Sequence, residues 1–512
     1  MRKNNRIVLL LAIVKFIIPY LLQSTVYGPH RDEFLYLAEG HHLAWGYMEV
    51  PPLLGIFAWL THILGDNLFW IKFWPDLFGS LTFILTAKII QSLGGKSFAI
   101  FLAFLPFVFG VYLRVFFLFQ PNSPEIFFWT LIGYSLIRYL QTEKNNWLYL
   151  LGVSIGLGMI SKYSVAFFVV SIFAGLLLTR ERKIFLNRHL YFAFGVALLI
   201  FLPTAFWEFN HHFPIIVHMK ELQQSQLQYI KPGGFLKDQI LMNLPCLFIW
   251  IAGLYFTAIS FKGKKYRAFA WAFVFVLVIL IVLQGKNYYS LGVYPVLFGF
   301  GAYHLEAFSF NRSKIWRYAL LFFSFVLGIL FIPISLPVLK PTALAKLYVT
   351  LGTEKTGALK WEDLKNHPLP QDFADMLGWE EMAAKMAAAY NSLDSSEKKH
   401  TLLFCDNYGE AGAVNYFRFK YHLPEVYSDN GSFLYWMPRD IHIDNLVLVT
   451  DDQQEMQHPF IRLFSSAKVT DSITNPYSRE KGSLIIVFKG ANTEFNKMFE
   501  KKIERDYSVF DY

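Results

Sequence analysis

The chain has 512 residues, 54% of them apolar and only 17% charged, with 53 Phe. That balance excludes an ordinary water-soluble globule, a disordered chain and a coiled coil. Forty-seven basic and 38 acidic residues leave a net charge of +9, but the basic residues fall in short clusters between apolar runs, a pattern of membrane topology rather than nucleic-acid binding. The two cysteines, Cys246 and Cys405, supply neither a disulfide framework nor a cysteine metal site.

A helix crossing about 30 Å of hydrocarbon needs roughly 20 mostly apolar residues. Such stretches begin near residues 7, 69, 97, 124, 147, 163, 190, 240, 269, 288 and 315, which predicts about eleven spans. The first follows Arg2, Lys3 and Arg6; Lys15 interrupts it and no small-x-small cleavage site follows, so it is read as a span rather than a cleaved leader. Arg180 to Arg188, Lys262 to Arg267, and Arg312, Lys314 and Arg317 form three further basic clusters. With eleven spans all four fall on one side, which the positive-inside rule makes the cytoplasm. The N-terminus is then inside and the C-terminus outside.

Residues 24–68 form the first outer loop. Asp32 and Glu33 stand together at a predicted helix start, followed by Glu39, His41, His42 and Glu49. Carboxylates there serve as a general base or hold a divalent cation, and Tyr36, Trp45 and Tyr47 offer faces to a sugar ring. The plainer alternative stays open: acids that complement a helix N-terminus, on an interfacial amphipathic helix. Glu125 ends a second outer loop directly before an apolar run, where an unpaired charge is costly; its plainer reading is again a helix N-terminal charge. Arg114, Lys162, Lys220 and Lys286 lie on the outer side against the topological bias. Singly each reads as a snorkelling span end, and together they suggest a lipid phosphate. The polar segment 209–239 reads as a mobile lid or an acceptor-side loop.

After residue 337 the composition turns soluble. Asp372 to Leu393 has the amphipathic pattern of a helix, and Thr401 to Cys405, Asn445 to Thr450 and Ser483 to Phe488 have strand composition. This divides the chain into a membrane domain, 1–337, and an extracytoplasmic α/β domain, 338–512.

The arrangement Asp32-Glu33-x-x-Tyr36, Leu43-Ala-Trp-Gly-Tyr47 and Glu49-Val-Pro-Pro-Leu53 resembles the first outer loop of the membrane glycosyltransferases that include the protein O-mannosyltransferases and the bacterial aminoarabinose transferase of lipid A. Phe119-Gln-Pro121 with Glu125-Ile-Phe-Phe-Trp129, Gly158-x-x-Ser161-Lys-Tyr163, Gly285-Lys-Asn-Tyr-Tyr289 with Tyr294-Pro295, and Tyr408-Gly-Glu-Ala-Gly412 with Leu423-Pro424 match further landmarks in the same order. The resemblance implies a polytopic GT-C type helical fold and a catalytic Asp32 with Glu33 beside it. Glu125 would be the second-loop acid, where relatives usually carry Asp. Substrate contacts would come from Tyr36, His42, Tyr47, Glu49, Arg114, Lys162, Tyr163, Lys286 and Tyr288. Val50 stands where some relatives have a His or Lys, so one polar contact of the family is missing.

What the resemblance implies for function is inverting transfer of a sugar from a polyprenyl-phosphate carrier to a lipid, glycan or protein acceptor on the outer face of an inner membrane, with membrane lipids around it and no nucleic acid. A divalent cation, Mg or Mn, at Asp32 and Glu33 is left open. The competing readings are a multi-span transporter, a polysaccharide polymerase or ligase, and a non-catalytic scaffold. A transporter predicts charges near the midplane of broken helices, whereas here the ionisable residues gather toward one face.

Overall fold

The computed structural model describes residues 2–310, 315–438 and 441–508. Arg312 and Lys314 of the fourth basic cluster lie outside the described residues. The chain divides into two compact units: Met1–Gln23, Lys72–Phe206 and Met219–Val338 form one, and Ser24–Ile71, Trp207–His218 and Leu339–Tyr512 the other.

The first unit is helical. All eleven expected stretches are helical over most of their length. Among the described residues, five helices are long and apolar enough to cross a membrane: Asn4–Leu22, Leu68–Ser92, Arg188–Asn210, Phe261–Val282 and Ile315–Ser335. Pro232–Leu241 and Leu244–Ala258 meet the same length and composition only when taken together, across a bend of 60°. Other expected spans form shorter helices, such as Ser97–Val108 with 12 residues. A hydropathy window counts apolar length but does not register where a helix stops. The apolar run from Ser97 continues past Val108, yet Gly110 at φ 125° turns the chain there.

Small residues let these helices approach closely. A Cβ on Gly253 would lie 2.1 Å from the Leu297 carbonyl oxygen, and one on Gly301 1.8 Å from that of Ile249, so Leu247–Ala258 and Tyr294–Phe310 meet backbone to backbone. Lys15, which interrupts the first apolar run, is fully buried and pairs with the equally buried Asp76 of Leu68–Ser92. Each charge supplies the partner that the other needs in a water-poor interior.

The second unit holds a four-stranded sheet: β1 (Thr401–Cys405), β2 (Asn445–Thr450), β3 (Phe464–Ser472) and β4 (Leu484–Ala491), in the order β1-β2-β4-β3. β1 pairs parallel to β2, with Thr401 opposite Asn445, and the connection between them carries the helix Tyr408–Tyr421, as a parallel crossover requires. β2 is buried along its whole length. β3 was not expected from the sequence; it is an edge strand, exposed at Ser465, Ser466 and Lys468 to Asp471 apart from short partly covered stretches, and its polar composition hides it from a hydrophobicity reading. The helix expected over Asp372 to Leu393 is broken: Gly378 at φ 88° separates Gln371–Ala374 from Trp379–Asn391.

Residues 24–71 bring two helices into this unit, Arg31–His41 and Leu53–Leu64. The polar segment 209–239, expected as a loop, instead carries the helices Pro214–Ser225 and Pro232–Leu241. Each starts at a proline, whose fixed φ and absent N–H suit a first helical turn.

Candidate active site

The expected helix start at Asp32 and Glu33 is present, and it separates the two acids. His30 is the N-cap of Arg31–His41; its Nδ1 accepts from the Asp32 N–H at 3.2 Å, while the His30 N–H donates to Glu33 Oε2 at 2.7 Å. This reciprocal pair is a capping box. Glu33 is fully buried in it. Asp32 faces the other way: its side chain is one-third exposed, and the Tyr408 hydroxyl donates to its Oδ1 at 3.0 Å. Burial, and then the Asp32 charge, hold Tyr408 well above the usual phenol range, so it stays a proton donor.

The surroundings fix this corner. The Arg31 guanidinium lies 4.9 Å from the Tyr408 ring centroid. His30 Nε2 is 3.6 Å from Asp375 Oδ2, and Arg479 is 3.4 Å from the same oxygen. Burial pushes Asp375 up to about 6 against the pull of His30 and Arg479.

The other acids of the loop are committed to structure. Glu49 accepts from the Ser432 N–H at 2.9 Å and from its hydroxyl at 2.5 Å. Gly431, at φ 61°, makes room: a Cβ there would lie 2.2 Å from Glu49 Oε1. Glu39 is fully buried with no hydrogen-bond partner on either carboxyl oxygen; burial and then Glu49 push it well above the carboxylate range.

Tyr36 and Tyr47, expected to offer their faces to a sugar, are buried instead. Tyr47 donates through its hydroxyl to the Glu39 carbonyl at 3.0 Å and pins the loop. Of the three aromatics named for stacking, Trp45 alone is exposed. His42 stacks on Trp436 at 4.2 Å and lies 3.8 Å from Glu425.

In the helical unit, Glu125 lies in the first turn of Asn122–Thr142. It pairs with Lys162 at 2.9 Å and accepts from the Ser164 hydroxyl at 2.5 Å; Lys162 also donates to Asn122 Oδ1 at 2.6 Å. Lys162 Nζ sits 4.4 Å from the Tyr289 ring centroid and 5.9 Å from that of Tyr288. The structure therefore brings Glu125, Lys162 and Tyr288 together and adds Asn122, Ser164 and Tyr289, none of which carries a charge that a sequence reading would pick out. Tyr163 meets Phe201 edge-on, and Lys286 caps the short turn Asn287–Val293. Arg114 donates through Nε to the Ser335 carbonyl at 3.2 Å and through its other nitrogen to that of Ile334, closing the C-terminal end of Ile315–Ser335.

Two groups of three side chains among the described residues converge as metal ligands would: His41, His62 and Asp66, and Asp452, Glu455 and His458. Asp32 and Glu33 belong to neither.

Residues 49–207 match the family model described as dolichyl-phosphate-mannose-protein mannosyltransferase, beginning inside the Glu49-to-Leu53 motif. ArnT from Cupriavidus metallidurans bound to undecaprenyl phosphate matches with a TM-score of 0.60 at 13% identity, over 94% of this chain and 97% of that one. The same protein in the apo state gives 0.61 at 12% identity over the same shares. An oligosaccharyltransferase of Archaeoglobus fulgidus in complex with Zn and sulfate matches at 0.50 and 12% identity, over 86% of this chain and 68% of that one. No curated protein matches the sequence. The chain thus shares the fold of ArnT over nearly its whole length and matches the mannosyltransferase family model over residues 49–207, in keeping with the resemblance carried by the motifs.

Proposed function

We propose that the protein is an inverting glycosyltransferase that takes a sugar from a polyprenyl-phosphate carrier and passes it to an acceptor on the outer face of an inner membrane, through about eleven spans with the N-terminus in the cytoplasm. Residues 338–512 then lie outside, together with the first outer loop. The observation that carries this reading is the state of Asp32: an accessible carboxylate, oriented by the Tyr408 hydroxyl, beside Glu33, Glu39 and Glu49, which are capped, buried and latched.

Inversion needs one base on the acceptor side. Asp32 accepts the proton of the acceptor hydroxyl as that oxygen bonds to the anomeric carbon; the bond from that carbon to the carrier phosphate breaks, and the phosphate departs with the electron pair. Lys286 and Lys162, with Tyr163 and Tyr288, are assigned to the departing phosphate, whose charge needs cationic donors. Glu125 holds Lys162 in place. The ArnT relative, solved with undecaprenyl phosphate, supports a polyprenyl-phosphate donor.

The test is incubation of the purified protein with a polyprenyl-phosphate sugar and measurement of released carrier phosphate. Turnover in the wild type and its loss in Asp32→Asn support the reading; normal turnover in Asp32→Asn removes Asp32 from the mechanism. Lys286→Met is expected to raise the Michaelis constant for donor more than for acceptor, and equal effects on both would count against the phosphate assignment.

A further inference from the structure

The helices Arg31–His41 and Leu53–Leu64 cross at a glycine: a Cβ on Gly40 would lie 2.6 Å from the Trp59 amide nitrogen. That approach brings the next residue, His41, onto His62, with ring centroids 3.7 Å apart and planes at 15°. Asp66 then turns back onto His62. Its backbone has φ 54°, in the left-handed region that non-glycine residues rarely occupy, and its carbonyl is held there by the Tyr416 hydroxyl at 2.6 Å. Such strain persists only where the surroundings enforce it, and it gathers at functional sites.

The hydrogen bonding of His62 is the telling feature. Nε2 is 2.8 Å from the Leu37 carbonyl and Nδ1 is 2.5 Å from Asp66 Oδ1. Both partners are acceptors. With one ring proton committed to the Leu37 carbonyl, the Nδ1 lone pair faces a carboxylate oxygen, an arrangement that requires a second proton, or the parting of the two atoms around a metal cation. A backbone carbonyl on the far nitrogen is also the usual way a ligating histidine is oriented. The ligand atoms of His41, His62 and Asp66 all lie within 4.8 Å of one another. His41 is the last residue of its helix and His62 is in the last turn of the other, so two negative dipole ends converge where a cation would sit.

We propose that His41, His62 and Asp66 form a zinc site. Two imidazoles and one carboxylate suit zinc and leave at least one coordination position open. The exposed His41 tilts off the stack to aim its lone pair, and Nδ1 and the carboxylate part to coordination distance. All three ligands line a cavity of about 320 Å³ with Arg418, Glu425 and Trp436, so the open position is available to a small ligand. The site is independent of the transfer reaction proposed for Asp32.

The full chain in detergent, stripped with a chelator and dialysed against zinc, is expected to retain one zinc per chain. His41→Ala and Asp66→Asn should each weaken binding by more than the roughly tenfold that loss of an outer-shell partner of a ligand costs, while His458→Ala, in the other convergent group, leaves it unchanged. Cobalt in place of zinc should give the intense visible bands of a four-coordinate ion, lost in His41→Ala. Because His41 is exposed, that variant remains informative if His62→Ala fails to fold. The proposal is overturned by substoichiometric zinc, by affinity unchanged in His41→Ala and Asp66→Asn, or by zinc that follows His458 instead.

Discussion

Asp32 and Glu125 present the same signal in the sequence, an acid in the first turn of a helix beside an apolar run, and the structure resolves them in opposite ways. Glu125 is buried against a cation and a hydroxyl, with 4% of its side chain exposed. Asp32 is one-third exposed and takes its hydrogen bond from a neutral phenol. A carboxylate locked to a lysine is a poor proton acceptor, because the cation stabilises its charged form. The proposed division, proton transfer by Asp32 and anchoring by Glu125, rests on this difference, although either would pass for catalytic on composition.

The largest expected effect is at Asp32. Asp32→Asn should lower turnover by about 10²–10⁴-fold, the usual span for a general base, with little change in melting temperature; the carrier-phosphate assay and a thermal melt in detergent check both halves. Glu125→Gln should behave the other way. Removing one partner of a buried pair costs roughly 3 kcal/mol or more, read as a lower melting temperature, and adding Lys162→Met should recover much of it. If Glu125→Gln were as stable as wild type, the contrast between the two acids would fail. Tyr408→Phe sharpens it: losing a hydrogen bond to a charged group, worth about 1.5–3 kcal/mol, should slow turnover about tenfold or more without altering the acceptor Michaelis constant.

The smallest effect concerns Glu410, in the first turn of Tyr408–Tyr421 and fully buried, with no hydrogen-bond partner on either carboxyl oxygen. Burial, and then Glu480, raise its pKa well above the ordinary range. A carboxyl raised in the folded state favours folding while it is protonated, and that contribution is lost as pH rises through the raised value. Glu410→Gln should therefore flatten the loss of thermal stability as pH rises above the ordinary glutamate range; an unchanged slope would show that Glu410 already carries a charge.

Much of this architecture was legible because it depends on local pattern. Apolar length marks the helices, the Asp32-Glu33 pair marks a helix start, and short apolar runs of strand composition mark the buried strands β1, β2 and β4. What escaped depends on distance in the chain or on neutral groups. Ser432 latches Glu49 across 383 residues, and Tyr408 reaches Asp32 across 376. Ser164 and Asn122 carry no charge to attract notice. Tyr47 has the composition of a sugar platform, yet its burial follows from a hydrogen bond to a backbone carbonyl that no spacing rule reveals. The edge strand β3 is polar because one of its sides has no strand to cover it. The helices in segment 209–239 were signalled by Pro214 and Pro232, but the density of Gln and His there reads as loop.

The buried partnership of Lys15 and Asp76 constrains how the protein is made. A lysine at the middle of an isolated helix costs about 2.5–3.5 kcal/mol to leave in lipid, and its counter-charge is synthesised 61 residues later. The first helix is thus poorly suited to settle alone in the bilayer: its lysine gains a counter-charge only once Leu68–Ser92 has left the ribosome, with the Asp32 segment already made between them.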